Sequence, residues 1–307
     1  MRILVLVIAS DSPAHYVEMQ KVWIRRCTSG VAFAGVAFAG VAGRRAGAGA
    51  GAPPVLPSVL PSVLHSVVDV WFVKAKPARL WVGDIANDGP LSDTVEFDRD
   101  AMTIYVKGEE TYIPGILNKT IEAIRAIGLD YDFVWRTNLS SVLDFDGLIR
   151  YCNSVQMSRH SLHKHDVLYE SNKKVLYAGY IGLAPIEAEF DSHIRFASGS
   201  GFLLAREAVE YLLDKVTLLS ESSLSESSSL LVTSLLRRDL IDDVAIGALL
   251  EPRFGIVHLD RCRIKTGDEN IARMVELGIF HFRCETYQHE RTVEFMNKVD
   301  LGLNRKS

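Results

Sequence analysis

The sequence predicts an α/β fold with a mostly parallel central sheet flanked by helices. Ile3–Ile8 is a continuous, β-branched apolar run, which is typical of a strand buried on both faces. A turn at Ala9–Pro13 and apolar residues at helical spacing follow it, and the same order recurs after Phe133–Trp135. Because repeated strand–helix units close through right-handed crossovers, we expect their strands to lie parallel in one sheet.

The remaining elements continue this alternation. We expect the first helix to close at Arg25 and Arg26, whose positive charges suit a helix C-terminus. Further strands are expected at Asp69–Val73, Thr103–Val106, Val175–Gly182, Phe196–Leu204, Ile256–Leu259 and Ile279–Arg283. Further helices are expected at Ile116–Ile127, around Leu148–Tyr151, at Ala205–Leu213 and from Ile241 onwards.

Two low-complexity segments interrupt the alternation. Residues 30–66 combine a Gly/Ala repeat with a Pro-Ser-Val-Leu repeat, and residues 217–236 are rich in Ser and Leu. Such compositions bury no defined face, and their glycines make ordering costly. We interpret residues 1–307 as a single domain with insertions at about 30–66 and 217–236. The first insertion could be a membrane-touching loop, a self-association tract or a repeat expansion without function, and we favour the last.

The charge balance excludes one broad class of function. The chain has 34 basic and 38 acidic residues, a formal net charge of −4. General nucleic-acid binding needs a basic footprint, which this balance does not provide, although a local basic pocket for phosphate is compatible with it. We therefore expect no nucleic-acid partner.

Cysteine usage and hydropathy point to an intracellular, soluble protein. The four cysteines form no CxxC pair, so we expect reduced, mostly buried thiols, whereas in a secreted protein Cys262 could pair with Cys284. His160, His163 and His165 lack a second ligand cluster, and we interpret them as part of a solvated loop. The N-terminal apolar run is too short for a membrane span and lacks the features of a signal peptide. We expect a cytoplasmic or other intracellular location without a transmembrane segment.

Four polar segments lie where a strand is expected to end or a helix to begin. They are Ala9–Pro13, Arg136–Ser141, Ser198–Gly201 and Asp242–Asp243. In α/β sheets the crevice outside the carboxyl ends of the strands is where ligands bind. Turn and cap chemistry is the alternative explanation for each of them. A cap accounts for one acid of the Asp242–Asp243 pair, and the second is a natural general base.

The order of these segments carries a resemblance to a known family. VWIRR, KT, RTNLSS, SGSGFLLAREAV, DDVAIG and HFR follow one another as in the β-1,3-galactosyltransferases and fringe-like glycosyltransferases. The matching positions are Trp23, Lys119-Thr120, Arg136 to Ser140, Gly199 to Leu204, Asp242 to Gly247 and His281. The resemblance implies a GT-A fold and inverting transfer from a nucleotide-sugar, usually a UDP-sugar. The acceptor it implies is a hydroxyl of a glycan or glycoprotein.

The resemblance also implies roles for single residues. Asp243 matches the general base, with Asp242 as the second candidate, and His281 matches a late metal- or phosphate-binding histidine. Gly199 and Gly201 would lie against the donor sugar, where the missing side chains allow close approach. The other donor-binding candidates are Ser10, Asp11, Lys119, Arg136, Thr137, Asn138, Ser140 and Ser200.

One motif departs from the family. The metal-binding Asp-x-Asp would fall at Asn138-Leu139-Ser140, where Asn and Ser are neutral, whereas Mn²⁺ or Mg²⁺ prefers carboxylate oxygens. Either metal binding is weak, or cations such as Arg136 meet the charge of the leaving diphosphate, or activity is lost. Asp144 and Asp146 form another Asp-x-Asp, but we expect them inside the next helix, pointing apart.

Three hypotheses follow. The first is an inverting, fringe-like glycosyltransferase, and the second is a non-catalytic nucleotide-sugar or glycan-binding relative that has lost its metal motif. The third is another α/β nucleotide-binding enzyme. Asp242-Asp243 favours the first over the second because a binding module needs no base. The lack of a glycine-rich phosphate loop disfavours the third.

Overall fold

The computed structural model of the chain describes residues 1–29, 67–77, 94–161, 176–185, 193–222, 240–284 and 289–304. The strands in these ranges are β1 Arg2–Ile8, β2 Val67–Lys76, β3 Val95–Asp98, β4 Thr103–Lys107, β5 Phe133–Asn138, β6 Ser141–Leu143, β7 Tyr177–Pro185, β8 His193–Ala205, β9 Val257–His258, β10 Cys262–Ile264 and β11 His281–Cys284. The helices are α1 Ala14–Ser29, α2 Gly115–Ile127, α3 Phe145–Ser161, α4 Arg206–Ser222, α5 Asp242–Phe254, α6 Ile271–Glu276 and α7 His289–Asn304.

The main sheet confirms the predicted α/β class. Within the described ranges its strand order is β3-β4-β2-β1-β5-β8-β7-β9. The pairs β4–β2, β2–β1 and β1–β5 are parallel, while β8 lies antiparallel between β5 and β7. The carboxyl ends of β1, β2 and β5 therefore meet at one edge of the sheet, as a ligand crevice requires.

Helices cover both faces of this sheet, and β1 shows why. Ile3, Val5 and Val7 belong to a core cluster that includes residues of α1, α3 and α7. The alternate residues Leu4, Leu6 and Ile8 belong to a second cluster with residues of α2, α4 and α5. Because side chains alternate along a strand, an uninterrupted apolar run supplies both cores at once.

A small second sheet packs beside the carboxyl edge. Its order is β10-β11-β6, with β10 parallel to β11 and β11 antiparallel to β6. The register pairs Arg263 with Arg283 and Arg283 with Ser141. Two arginines are thus neighbours on adjacent strands next to the residues that follow β5.

Several local expectations were wrong in detail. β5 continues through Asn138, so Arg136 and Thr137 are strand residues and only Leu139 and Ser140 separate β5 from β6. Ser198–Gly201 is no turn, because β8 runs through it without a break. Asp144 precedes α3 instead of lying inside it, and only Asp146 is in the first turn of that helix.

Other differences concern helix ends and elements without a predicted counterpart. α1 continues past Arg26 to Ser29. α4 continues to Ser222 and so enters the segment that we interpreted as the second insertion. β3, β6, β10, α6 and α7 had no sequence prediction. The insertion at 30–66, the remainder of the second insertion, His163 and His165 lie outside the described residues.

Cys27, Cys152, Cys262 and Cys284 are buried thiols. None of the helices in the described parts of the chain is long and apolar enough to cross a membrane.

Candidate functional site

Two adjoining pockets lie at the carboxyl edge of the main sheet. The larger, here called the strand-end cleft, has a volume of about 770 Å³ and is lined by Ser10, Asp11, Lys74, Glu110, Lys119, Leu139 and Ser140, among others. The smaller, here called the acid–arginine pocket, has a volume of about 320 Å³. It is lined by Arg136, Ser198, Gly199, Ser200, Asp242, Asp243, Arg261 and Arg263, among others. Tyr112, Ile116, Asn138 and Arg283 line both pockets, which makes them parts of one groove.

Charges in the strand-end cleft are arranged in pairs. The ammonium of Lys119 donates to the Glu110 carboxylate over 2.6 Å and to the carbonyl of Ala9, at the end of β1, over 3.1 Å. Burial lowers the pKa of Lys119 below its ordinary value, and the hydrogen bond to Glu110 opposes this shift. Lys74, near the end of β2, reaches the Asp11 carboxylate at 2.5 Å. Ser10 and Asp11, expected at a nucleotide, therefore do line this cleft.

The elbow Leu139–Ser140 after β5 is held by contacts to its main chain. The indole N–H of Trp23 donates to the carbonyl of Leu139 over 3.0 Å, and the N–H of Cys284 donates to the carbonyl of Ser140 over 3.0 Å. The side chains of Asn138 and Ser140 accept hydrogen bonds from Arg136 and Arg283. Positions 138 and 140, where the resemblance would place carboxylates, therefore carry neutral side chains that accept hydrogen bonds from guanidinium groups.

Arg136 lies at the floor of the acid–arginine pocket. Its side chain is 1% exposed and forms an ion pair with Asp242, itself 5% exposed, over 2.5 Å. The same guanidinium donates to Asn138 and to the carbonyl of Gly199. A buried guanidinium needs this many acceptors, since an unpaired buried charge is very costly. Arg136 therefore connects β5, β8 and α5 rather than projecting freely into the groove.

Asp243 is the second acid of the pair and has a different environment. One carboxylate oxygen accepts from the N–H of Gly199 over 2.5 Å, and the other accepts from the N–H of Val244 over 3.0 Å. Neither acid is the N-cap of α5, because that position belongs to Ile241. Burial raises the pKa of Asp243 above its usual range and the charge of Asp242 raises it further, while Gly199 and Arg136 oppose the shift. A carboxylate poised in this way suits a general base.

Two glycines explain how α5 and β8 approach so closely. A Cβ on Gly247 of α5 would lie 2.4 Å from the Cβ of Phe196 on β8. A Cβ on Gly199 would lie 2.9 Å from Nη1 of Arg136 and 3.1 Å from Oδ2 of Asp243. The close approach of the α5 and β8 backbones therefore positions Asp242 and Asp243 beside β8.

Gly201, Thr137 and Ser200 have separate environments. A Cβ on Gly201 would lie 2.6 Å from the Trp135 ring and 2.8 Å from His281, away from the acids. Thr137 is buried, and its hydroxyl donates to the carbonyl of Ser200 over 2.6 Å. Of these three residues, only Ser200 lines the acid–arginine pocket.

Sequence reasoning missed the arginines of the pocket wall. Arg261 donates to the hydroxyls of Ser198 and Ser200, and its guanidinium lies 4.1 Å from the centroid of the Tyr180 ring. Arg283 donates to the hydroxyl of Ser140. The sequence signal was the alternation Arg261-Cys262-Arg263, which places both arginines on one face of an extended segment.

The structure does not bring the three candidate metal ligands to the groove. His281 is buried against Trp135, with Nε2 at 3.3 Å from the Ser141 hydroxyl. Burial and the charges of Arg261 and Arg283 lower the pKa of His281 to about 3, so the ring is neutral. Asp144 is buried between Arg26 at 3.8 Å and Arg150 at 3.6 Å, whereas Asp146 is exposed in the first turn of α3.

The donor set of the groove does not fit a divalent cation. Asn138 and Ser140 are neutral, and both accept from guanidinium groups, so any cation bound there would lie beside positive charge. In the described ranges no group of three or more His, Cys, Asp or Glu side chains could hold a metal ion. Mn²⁺ and Mg²⁺ prefer carboxylate oxygens. Those of Asp11, Glu110 and Asp242 in the groove already form ion pairs with side-chain cations.

Comparisons with known proteins give only distant likenesses. No family model and no curated protein matches the chain. One similar solved structure is a glycosyltransferase involved in the glycosylation of the major capsid of PBCV-1, with 7% identity, a TM-score of 0.41 and coverage of 97% of this chain and 99% of that one. Another is mouse xyloside xylosyltransferase 1 in its apo form, with 8% identity, a TM-score of 0.33 and coverage of 92% and 97%. Both TM-scores are too low for either likeness to identify a function.

Proposed function

We propose that the chain is an inverting glycosyltransferase that moves a sugar from a nucleotide-sugar, of the UDP-sugar class, to an acceptor hydroxyl on a glycan. The observation that carries this proposal is the convergence of a buried carboxylate of raised pKa, Asp243, with several guanidinium groups in one pocket. Group transfer with a charged leaving group needs both a base and cations.

In the proposed reaction Asp243 is the general base. The acceptor hydroxyl oxygen attacks the anomeric carbon from the face opposite the diphosphate, and its proton passes to the Asp243 carboxylate. The bond between the anomeric carbon and the phosphate oxygen breaks, and the nucleoside diphosphate leaves with the electron pair. Asp242 acts as a positioning residue, because its ion pair with Arg136 fixes the floor beside Asp243.

The nucleoside occupies the strand-end cleft in this proposal. That cleft lies outside the carboxyl ends of β1 and β2, where α/β sheets bind nucleotides. Ser10, Asp11 and the Lys119–Glu110 pair line it. Because Asn138 and Tyr112 line both pockets, a donor that spans the groove places its sugar beside Gly199 and Asp243.

A panel of nucleotide-sugars tests the proposal. We expect at least one UDP-sugar to raise the melting temperature and to release UDP, faster when a glycan acceptor is added. Proton NMR of the product should show an anomeric configuration opposite to that of the donor. Thermal stabilisation without UDP release would identify the chain as a binding relative. If no nucleotide-sugar binds, the proposal is wrong.

A further inference from the structure

Tyr112 is an exposed aromatic side chain at the junction of the two pockets. It lines both of them and is 64% exposed. It belongs to neither core cluster of the described residues. Single exposed aromatic residues are common on protein surfaces, so exposure alone assigns no role. The informative feature is its position, between the proposed nucleoside cleft and the proposed base.

Glu110 fixes the segment that carries Tyr112. Its carboxylate accepts from the N–H of Ala75, near the carboxyl end of β2, over 2.7 Å. It also accepts from the ammonium of Lys119, on α2, over 2.6 Å. Lys119 is 3% exposed, so this pair is anchored inside the fold. The segment is thereby tied to both β2 and α2.

A second contact joins the same segment to the start of α2. The N–H of Gly115 donates to the hydroxyl of Thr111 over 3.1 Å. A Cβ on Gly115 would lie 2.5 Å from that hydroxyl oxygen, so α2 begins in direct contact with the segment. The ring of Tyr112 is therefore positioned before a ligand arrives, which lowers the entropic cost of binding.

The junction of the pockets combines apolar and polar walls. Tyr112 and Ile116, which is in the first turn of α2, line both pockets from the α2 side. Asn138 at the end of β5 and Arg283 of β11 also line both pockets. A pyranose ring has the same division, because it carries C–H groups on its faces and hydroxyl groups around its edge. The electron-rich face of a tyrosine ring attracts such C–H groups.

Electrostatics place Tyr112 near the acid pair. Partial burial raises the pKa of its hydroxyl, and the charges of Asp243 and Asp242 raise it further, whereas Arg136 lowers it. Nearby charges shift a pKa in this way, so Tyr112 lies close to both acids. A residue that lines both pockets suits the group at their junction. In a bound nucleotide-sugar that group is the sugar next to the diphosphate.

We propose that the ring of Tyr112 stacks on the pyranose of the nucleotide-sugar donor. The inference rests on the proposed function and assigns it a specificity-determining residue. Stacking on one face leaves the hydroxyls at the sugar's edge to the polar groups of the acid–arginine pocket, which would distinguish one sugar from another. It also keeps the anomeric carbon beside Asp243, since the stacked ring limits how the sugar can rotate.

Calorimetric titration of the full chain tests the inference, with UDP, UDP-glucose, UDP-galactose and UDP-N-acetylglucosamine as ligands. Tyr112→Ala should weaken binding of the UDP-sugar that the wild type binds most tightly. The expected loss is roughly 3- to 30-fold, the value of covering one face of an aromatic ring. The affinity for UDP itself should not change, because UDP lacks the sugar.

Two variants and a melting curve control for effects other than stacking. Tyr112→Phe keeps the ring, so it should retain most of the affinity for the UDP-sugar. Tyr211→Ala removes a ring that packs against Phe254 and lines neither pocket, so it should leave that affinity unaltered. Because Tyr112 is exposed, the melting temperature of Tyr112→Ala should stay within about 2 °C of the wild type.

The titrations distinguish three occupants of the junction. Equal losses of affinity for UDP and for the UDP-sugar would place the nucleoside against Tyr112 and overturn the inference. Unchanged affinity for the UDP-sugar, together with a raised KM for the acceptor, would place the acceptor there and overturn it as well. A loss confined to the UDP-sugar is the result that supports stacking on the donor.

The outcomes also separate this inference from the proposed function. Binding of a UDP-sugar that depends on Tyr112 but leads to no release of UDP would uphold the stacking site and reject the glycosyltransferase. Sugar transfer that Tyr112→Ala leaves unchanged would uphold the glycosyltransferase and reject the stacking site. If no UDP-sugar binds the wild-type chain, both are rejected.

Discussion

The charged side chains of the two pockets of the groove differ in how deeply they are buried. In the strand-end cleft, Lys74 pairs with Asp11 and Lys119 with Glu110, and the acid of each pair is at least one third exposed. In the acid–arginine pocket, Arg136 and Asp242 are both almost fully buried, and three more arginines line the wall. Paired, partly solvated charges suit the recognition of a largely neutral group, whereas an almost fully buried ion pair beside a second carboxylate suits an ionic reaction centre.

The largest effect should come from the proposed base. Asp243→Asn keeps the shape of the side chain but removes its ability to take a proton, so kcat should fall about 10²- to 10⁴-fold. Binding of the nucleotide-sugar should stay nearly intact, because the strand-end cleft is unchanged. Steady-state kinetics together with calorimetry measure both quantities.

A matched aspartate variant controls for this substitution. Asp268 is exposed and lines neither pocket, so Asp268→Asn should leave both kcat and donor affinity unaltered. An equal loss of binding and turnover in Asp243→Asn would instead give Asp243 a structural role at the start of α5.

The ion pairs of the two regions should differ in their contribution to stability. Arg136→Met leaves Asp242 buried without its partner, so the free energy of unfolding should fall by about 3–5 kcal/mol. Lys74→Met leaves an Asp11 carboxylate that is 64% exposed, so the loss should stay below about 1 kcal/mol. Urea denaturation of the two variants measures both free energies of unfolding. Similar losses in the two variants would show that the two ion pairs contribute equally to stability.

Two glycines of β8 offer a smaller, more local contrast. In Gly199→Ala the new methyl group would crowd Arg136 and Asp243, and we expect about a 10- to 100-fold loss of kcat through misplaced catalytic groups. In Gly201→Ala the methyl would crowd Trp135 instead, which should reduce stability by about 1–3 kcal/mol. Kinetics at a temperature where both variants are folded separate the two effects. Loss of activity in Gly201→Ala alone would contradict the placement of the reaction centre.

The smallest effect concerns pH. Asp243 must be ionised to act as the proposed base, so we expect its raised pKa to determine the acid limb of the profile of kcat/KM against pH. The charge of Asp242 is the second cause of that rise, after burial. Asp242→Asn removes this cause, so the pKa of Asp243 should fall and the acid limb should move to lower pH. If the acid limb moves to higher pH or does not move, a group other than Asp243 determines it.

The local spacing of apolar residues was enough to predict much of the main sheet. β1, β4 and α2 follow their apolar spacing closely, because burial on one or both faces leaves a local signature. The strand expected at Phe196–Leu204 is present, and the alternative of a turn at Ser198–Gly201 was wrong. Gly and Ser usually indicate turns, whereas here close packing against Arg136 and Trp135 keeps them in β8.

The grouping of arginines in the acid–arginine pocket could not be predicted in the same way. Arg136, Arg261 and Arg283 are far apart in the chain, and only the register of the small sheet and the position of β5 bring them to one pocket. The polar character of Arg136 suggested an elbow, but its partner Asp242 lies 106 residues further along the chain. Long-range pairing of this kind leaves no trace in local periodicity.

The elbow after β5 has one more consequence. Trp23 and the backbone of Cys284 fix Leu139 and Ser140 through main-chain oxygens, which are present whatever side chains the elbow carries. Exchanging a carboxylate for an amide or a hydroxyl at positions 138 and 140 therefore alters the electrostatics of the groove without removing either anchor. A scaffold held in this way keeps its architecture whatever side chains these two positions carry.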